Sequence, residues 1–89
     1  MEVRYRQAFL RDLKKLKNQP IYDQVFTLAF TTLPATTSLR EISNVKMMRG
    51  TSQRYRIRIG NYRVGIESQG NMIQMSRVLH RREFYRYFP

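Results

Sequence analysis

The segment RYRIRIGNYRVGIES, residues 54–68, constrains the fold of this chain more than any other part of the sequence. Arginine alternates with apolar residues up to Gly60, and a second alternating stretch begins at Tyr62. Such alternation is typical of a half-buried β-strand, and glycine supplies the positive φ that tight hairpin turns require. The segment therefore predicts two antiparallel strands joined by a two-residue turn at Gly60–Asn61.

The position of this turn determines which residues face one another across the hairpin. Because cross-strand partners share a face of the sheet, one face is predicted to be apolar and covered by helices. Its predicted pairs are Ile59 with Tyr62, Ile57 with Val64, and Tyr55 with Ile66. On the polar face, the predicted pairs are Arg58 with Arg63, Arg56 with Gly65, and Arg54 with Glu67.

The polar face needs a physical explanation. A cross-strand ion pair between Arg54 and Glu67 stabilises a sheet by about 0.2–1 kcal/mol, whereas Arg58 directly opposite Arg63 is destabilising. We interpret Gly65 as a shallow, open floor around which guanidinium groups bind a phosphate in a bidentate manner. The alternative is a solvated polar face on which arginine serves only solubility. We favour anion binding because several arginines share one face of a highly basic chain.

The charge of the whole chain points to an anionic partner. Seventeen Lys and Arg residues stand against six Asp and Glu, giving a formal net charge of +11, which attracts nucleic acid, anionic membranes or acidic proteins. A length of 89 residues predicts a single domain spanning 1–89. The N-terminus is too charged for a signal peptide, and no apolar run approaches membrane-spanning length. We therefore expect a cytoplasmic protein that does not interact with a membrane.

The spacing of apolar residues predicts an α+β fold, with helices on one face of a mostly antiparallel sheet. A strand at 2–5 is followed by a helix at 7–19. A second helix begins at Pro20 and is expected to end at Leu33–Pro34, because the residue before a proline disfavours the helical region. The remaining elements are a polar loop at 34–44, strands at about 45–49, 53–59, 62–68 and 72–79, and a tail that is either a short helical turn or an ordered extended segment.

Few residues of this chain are suited to acid–base chemistry. One histidine, no cysteine and six scattered acids offer neither a metal-ligand set nor paired carboxylates, so we expect no metal and no small-molecule cofactor. Arginine, tyrosine and His80 remain, a set suited to RNA strand cleavage, in which cations stabilise the charged phosphate. Alternatively, Tyr85 anchors the tail and His80 bonds to backbone at a strand end. Phe84, Tyr87 and Phe88 are predicted to be core or partner contacts.

The order of these elements, together with MRGTSQRYRIRIGNYRVGI and the ending RVLHRREFYRYF, resembles the RelE/ParE superfamily of bacterial toxins from toxin–antitoxin pairs. The resemblance covers essentially the whole chain, and the paired motifs are more specific than either one alone. It implies two N-terminal helices packed on a curved antiparallel sheet. In the RelE branch, it also implies a ribosome-dependent endoribonuclease, an mRNA interferase that cuts messenger RNA in the A site by metal-independent 2′-hydroxyl attack.

The same resemblance implies the roles of individual residues. Arg56 and Arg58 would bind and activate the RNA. Arg63 and Arg81 would hold the scissile phosphate, and Tyr85 would stack on or orient the RNA. Arg81 would also protonate the leaving group. His80 is a further candidate contributor. Four more arginines are expected to bind RNA or phosphate: Arg49, Arg54, Arg77 and Arg82.

The resemblance also implies partners. Besides the ribosome and messenger RNA, a cognate antitoxin with an acidic or amphipathic segment would cover or distort the basic surface. Two other functions remain open: a ParE-type non-enzymatic inhibitor of DNA gyrase, and an inactive basic RNA-binding relative. The ending HRREFY favours the nuclease, because gyrase inhibitors generally lack this arginine and tyrosine as a catalytic set. We expect weak activity without the ribosome, since the ribosome orients the message.

Overall fold

A computed structural model describes all residues of the chain, 1–89. One five-stranded sheet has the order β1-β5-β4-β3-β2, with β1 parallel to β5 and the other neighbours antiparallel. The strands are β1 (Glu2–Tyr5), β2 (Val45–Met47), β3 (Arg54–Ile59), β4 (Tyr62–Gln69) and β5 (Met72–His80). The α-helices are α1 (Gln7–Lys15), α2 (Tyr22–Thr27), α3 (Leu33–Ala35) and α4 (Arg81–Tyr87). The predicted α+β class with a mostly antiparallel sheet is confirmed.

The main core lies between the sheet and the N-terminal helical region. Helix α1 contributes the stripe that its spacing predicts, with Phe9, Leu13 and Leu16 all buried. The strands contribute the apolar face of the hairpin, including the buried residues Ile57 and Val64. Each fully buried side chain of this size contributes roughly 1.5–3 kcal/mol relative to an exposed one, so this cluster holds the helices on one face of the sheet.

Helix α1 is shorter than predicted. It ends at Lys15 rather than at residue 19, because the chain tightens into turns closed by bonds between residues three apart. The N–H of Leu16 donates to the carbonyl of Leu13 at 3.0 Å, and the N–H of Gln19 donates to the carbonyl of Leu16 at 2.8 Å. Such turns commonly finish a helix.

The second helical region differs more from its prediction. Helix α2 is followed by a π-helical turn over Leu28–Thr32 and then by α3, so the expected end at Leu33–Pro34 is wrong. The N–H of Leu33 donates to the carbonyl of Leu28, five residues earlier. This wider turn places Pro34 in the first turn of α3, where the missing N–H of a proline is tolerated. The predicted loop at 34–44 also contains a 3₁₀ turn at Leu39–Glu41.

The hairpin has the predicted register at every pair, from Ile59 opposite Tyr62 to Arg54 opposite Glu67. Gly60 has a φ of 57° at the turn, as a tight hairpin turn requires. The predicted Arg54–Glu67 ion pair is present, with 3.9 Å between its nitrogen and oxygen, and Arg6 also reaches Glu67 at 3.6 Å. The predicted arginine-bearing face is therefore real.

The last ten residues fold back onto the sheet as a helix, the first of the two predicted forms. Helix α4 packs against β4 and β5, and the side chains of Phe84 in the helix and of Phe88 directly after it are buried as predicted. Tyr87 remains half exposed. None of the helices combines the length and hydropathy needed to cross a membrane.

Candidate nucleic-acid interface

The sheet surface that faces away from the main core carries a group of basic side chains, which we call the basic face. Its members on β2, β3 and β4 are Lys46, Arg54, Arg56, Arg58 and Arg63. Lys46 lies directly opposite Arg56 on the neighbouring strand, and Arg56 lies opposite Gly65. Since directly opposed residues share a face, the sheet register alone brings these cations to one surface.

A cleft of about 310 Å³ opens at one end of the basic face. It is lined by Lys46, Met47, Met48, Arg49, Arg56 and Tyr85. Arg56 is half-buried, Lys46 and Arg49 are exposed, and the side chain of Tyr85 is among the most exposed aromatic groups of the chain, at 59%. The cleft thus combines cations that can bind a phosphate with an aromatic ring on which a base can stack.

Lys46 was not among the residues predicted from the sequence. The signal that would have found it is the pattern Val-Lys-Met in β2, in which Lys46 points away from the core when Val45 points towards it. Pairing that strand with β3 places the lysine beside Arg56. The strand was predicted, but its register against the hairpin is not fixed by a short turn.

Two predicted catalytic arginines meet at the turn of the hairpin. The Nη1 of Arg63 donates to the carbonyls of Gly60 and Tyr62 at 2.9 and 3.0 Å. The backbone N–H of Arg81 donates to the carbonyl of Asn61 in the same turn at 2.7 Å. Because its guanidinium bonds to the turn carbonyls, Arg63 tolerates Arg58 directly opposite, which answers the like-charge problem that the sequence raises.

Gly65 does not provide the open floor that the sequence predicts. It is buried, and the ring of Phe88 from the end of α4 lies over it. A phosphate therefore has no access to the centre of β4 on this face. The prediction failed because it rested on the strand alone, whereas the contact comes from a residue far along the chain.

His80 lies away from the basic face. It is opposite Tyr62 on the helix-covered side, with their rings edge to face at a centroid distance of 5.4 Å. Its Nδ1 accepts the backbone N–H of Arg82 at 3.2 Å and so caps helix α4. His80 thus occupies the alternative position considered for it, at a strand end and bonded to backbone. Arg81 and Arg82, which follow it, are exposed in the first turn of the helix.

Arg77 is engaged inside the protein. Its Nε and Nη2 donate to the carboxylate of Asp12 at 2.7 and 3.1 Å, and the backbone N–H of Val78 donates to the same carboxylate at 3.1 Å. The bond to Asp12 raises the pKa of Arg77 above its usual value. The guanidinium also lies 5.6 Å from the centre of the Tyr87 ring. Arg77 therefore joins α1, β5 and α4. No group of His, Cys, Asp or Glu side chains is arranged to hold a metal ion.

Comparison with known proteins places the chain in a family. The family model described as the ParE toxin of the type II toxin–antitoxin system, parDE, matches residues 3–85. Toxin RelE3 of Methanocaldococcus jannaschii is 37% identical over 90 residues, covering all of both chains. The chain belongs to the RelE/ParE toxin family. It is thus a RelE-type toxin of a toxin–antitoxin system, and the family resemblance inferred from the sequence is confirmed.

Solved structures of RelE/ParE toxins extend the agreement to three dimensions. The RelB–RelE antitoxin–toxin complex from Methanococcus jannaschii matches with a TM-score of 0.78 and 35% identity, covering 97% of this chain and 99% of that one. The RelBE2 toxin–antitoxin complex from Mycobacterium tuberculosis matches with a TM-score of 0.68 and 27% identity, covering 89% and 95%. Both of these relatives were solved in complex with their antitoxins.

Proposed function

We propose that this toxin is a ribosome-dependent endoribonuclease that cleaves messenger RNA in the ribosomal A site without a metal. The observation that carries the proposal is the cleft at the end of the basic face. There, an exposed tyrosine, Tyr85, lines the same surface as the half-buried Arg56 and the exposed Lys46 and Arg49. The RelE relatives and the net charge of +11 support the same reading.

The proposed reaction is an internal attack by the RNA on its own backbone. The 2′-oxygen loses its proton and forms a bond to the adjacent phosphorus, and the bond from phosphorus to the 5′-oxygen breaks. The leaving 5′-oxygen gains a proton, so the products are a 2′,3′-cyclic phosphate and a 5′-hydroxyl. The guanidinium of Arg56 would stabilise the extra negative charge on the phosphate in the transition state.

The other predicted residues would hold the RNA around this centre. Tyr85 would stack on a base, a contact worth about 1–3 kcal/mol per base in proteins that bind single strands. Arg63 and Arg81, which both bond to the hairpin turn, would hold the scissile phosphate, with Arg81 nearest the leaving oxygen and Arg58 binding the neighbouring backbone. Arg49 and Arg54 would bind flanking phosphates. Lys46 is the amine of the cleft and would serve proton transfer, which guanidinium groups do poorly.

The exposure of the cleft supports the proposed dependence on the ribosome. Four of the six residues that line it are exposed, so the cleft alone would enclose the sugar and phosphate only in part. Orientation can supply several kcal/mol of rate acceleration, about 7–11 kcal/mol in favourable cases, so a partner that orients the message would supply what the toxin lacks. We therefore expect little cleavage of free RNA, and activity in the cytoplasm where ribosomes are present.

A second candidate function has one observation in its favour. The family model that matches residues 3–85 is that of the ParE toxin. The alternative target is therefore DNA gyrase, which the toxin would inhibit without enzymatic activity. In that case the cleft would bind a protein or DNA surface and no RNA bond would break. A supercoiling assay with purified gyrase separates the two functions, because only the gyrase inhibitor would slow it.

The decisive experiment is primer extension on a defined message bound to programmed ribosomes, with toxin added. We expect a discrete cut in the A-site codon that falls at least about 100-fold in rate for Arg56→Ala and for Tyr85→Ala. Lys17→Ala, an exposed residue in the turn after α1, is the matched control and should cut normally. Absence of any cut by folded wild-type toxin would refute the proposal.

We also propose that a cognate acidic antitoxin covers the basic face and thereby blocks the cleft. Two observations support this proposal: the solved relatives are complexes with RelB antitoxins, and the charge of this chain favours a partner of opposite sign. Covering the cleft would exclude RNA by direct competition for the same cations.

A further inference from the structure

Gly65 is a glycine because another residue comes too close for any side chain. A Cβ built at this position would lie 2.8 Å from the Cγ and Cδ2 atoms of Phe88 and 2.9 Å from its Cδ1. Carbon atoms pack at about 3.5–4.0 Å, so no methyl group fits there. Three other glycines of the chain have positive φ and Gly65 does not, so its role is close approach rather than an unusual backbone conformation.

The ring that fills this notch belongs to a small second core on the basic face. Phe88 is 4% exposed and Phe84 is fully buried, and their ring centroids lie 5.3 Å apart. The N–H of Phe88 donates to the carbonyl of Phe84 at 2.9 Å, which extends the hydrogen bonding of α4 by one residue. Neither ring belongs to the main core under the N-terminal helices. The two rings therefore hold α4 against the opposite side of the sheet.

This anchor determines where Tyr85 lies. Its ring packs edge to face on Phe84 at a centroid distance of 5.1 Å, and the residue lines the cleft together with Arg56. Helix α4 has only seven residues, too few to be stable without tertiary packing. The position of Tyr85 thus depends on contacts made by its neighbours and not on the helix alone.

We propose that Gly65 and Phe88 form a lock that positions Tyr85 over the cleft. Both are positioning residues for the RNA cleavage proposed above, and the inference rests on that function. The glycine notch seats the ring of Phe88, the seated ring fixes α4 on the sheet, and the fixed helix holds the phenol next to Arg56. Neither residue touches the RNA.

The test is Gly65→Ala, whose methyl group cannot coexist with the seated ring. We expect the ribosome-dependent cleavage rate to fall about 10–100-fold, the effect of a misplacement near 1 Å. The double variant Gly65→Ala/Phe88→Ala removes the clashing atoms together with the anchoring ring, so it should cleave at the rate of Phe88→Ala alone, because Gly65 acts only through that ring. Val25→Ala, buried in the main core, controls for lost stability: it should lower the melting temperature while the folded protein cuts normally.

A double-mutant cycle shows whether the lock acts through Tyr85. If it does, Gly65→Ala/Tyr85→Ala cleaves at the rate of Tyr85→Ala alone, because the position of α4 no longer affects the rate once the phenol is absent. By contrast, Gly65→Ala should multiply the loss caused by Arg63→Ala. Multiplicative losses with Tyr85→Ala, or wild-type cleavage by Gly65→Ala, would overturn the proposal.

A measurement on the free toxin keeps the lock testable apart from the proposed function. In NMR spectra of the wild type we expect nuclear Overhauser contacts between the Phe88 ring and the Gly65 α-protons, and between the Tyr85 ring and the Arg56 side chain. Both should disappear in folded Gly65→Ala. If the wild type fails to cut RNA but these contacts behave as expected, the lock stands and the nuclease is wrong; unchanged Tyr85–Arg56 contacts in the variant would refute the lock.

Discussion

Lys46 is the residue of the cleft whose chemistry differs most from that of its neighbours. Its neighbours Arg49 and Arg56 carry guanidinium groups, which are suited to stabilising charge, whereas an amine can also transfer a proton. We expect Lys46→Ala to lower the single-turnover cleavage rate by about 10²–10⁴-fold, the range for a general acid or base. Lys46→Arg keeps the positive charge and should be nearly as slow. The measurement is single-turnover cleavage on programmed ribosomes.

The comparison of these two variants separates proton transfer from simple charge. If Lys46→Arg retained most of the wild-type rate, Lys46 would act only as a cation. Proton transfer to or from the RNA would then need another group, such as the phenol of Tyr85. Titrating each variant with a 2′-deoxy oligonucleotide on the ribosome gives the binding control. This ligand cannot react, so its affinity reports contacts to the RNA alone.

At the level of single residues, the sequence predicts local pairings well and distant contacts poorly. The six hairpin pairs follow from one turn and from period-two alternation, so all of them could be read directly. The contact between Gly65 and Phe88 joins two elements through tertiary packing that no local period records. Lys46 lies between these cases, since its strand could be recognised but its partner could not.

At the level of elements, the carboxylate of Asp12 connects α1 to β5. It is 5% exposed and accepts two bonds from Arg77 and one from the backbone N–H of Val78. We expect Asp12→Asn to lower the free energy of unfolding by about 2–3 kcal/mol, because the charge-assisted bonds are lost and the partly buried guanidinium keeps no counter-ion. Urea denaturation at pH 7 measures this change.

The matched control for this prediction is Asp23→Asn in α2, an exposed acid with no ion pair. It should change stability by less than about 1 kcal/mol, since an acid in the first turn of a helix contributes about 0.3–1 kcal/mol. If the two substitutions lowered the free energy of unfolding equally, the effect would come from losing one negative charge and not from the specific Asp12–Arg77 pair. Because Arg77 also lies over the ring of Tyr87, the Asp12 variant should loosen α4 as well, with a measurable gain in amide exchange there.

The helical region shows why element boundaries are harder to predict than element types. The apolar spacing after Pro20 correctly indicates a helix, and the rule that a proline disfavours helix before it is sound on average. Here the π-helical turn at Leu28–Thr32 shifts the hydrogen bonds by one residue, so Pro34 fits a first turn. The parallel pairing of β1 with β5 likewise could not be predicted from local sequence patterns, because it joins segments near the two ends of the chain.

At the level of the whole molecule, the net charge of +11 favours association with the acidic antitoxin proposed above. Oppositely charged proteins associate faster than neutral ones, and salt screens that attraction over about 8–10 Å at physiological ionic strength. We expect the dissociation constant of the toxin–antitoxin complex to rise at least about tenfold between 50 and 300 mM NaCl. Most of the change should appear in the association rate.

The location of the antitoxin can be read from two substitutions that change the net charge equally. If the antitoxin covers the basic face, Lys46→Glu should slow association more than Lys17→Glu, because a charge inside the interface acts at shorter distance than one in the turn after α1. Stopped-flow association with the purified antitoxin gives both rates at one ionic strength. Equal slowing would mean that the antitoxin responds to overall charge and leaves the cleft open, in which case the toxin–antitoxin complex should still cut RNA.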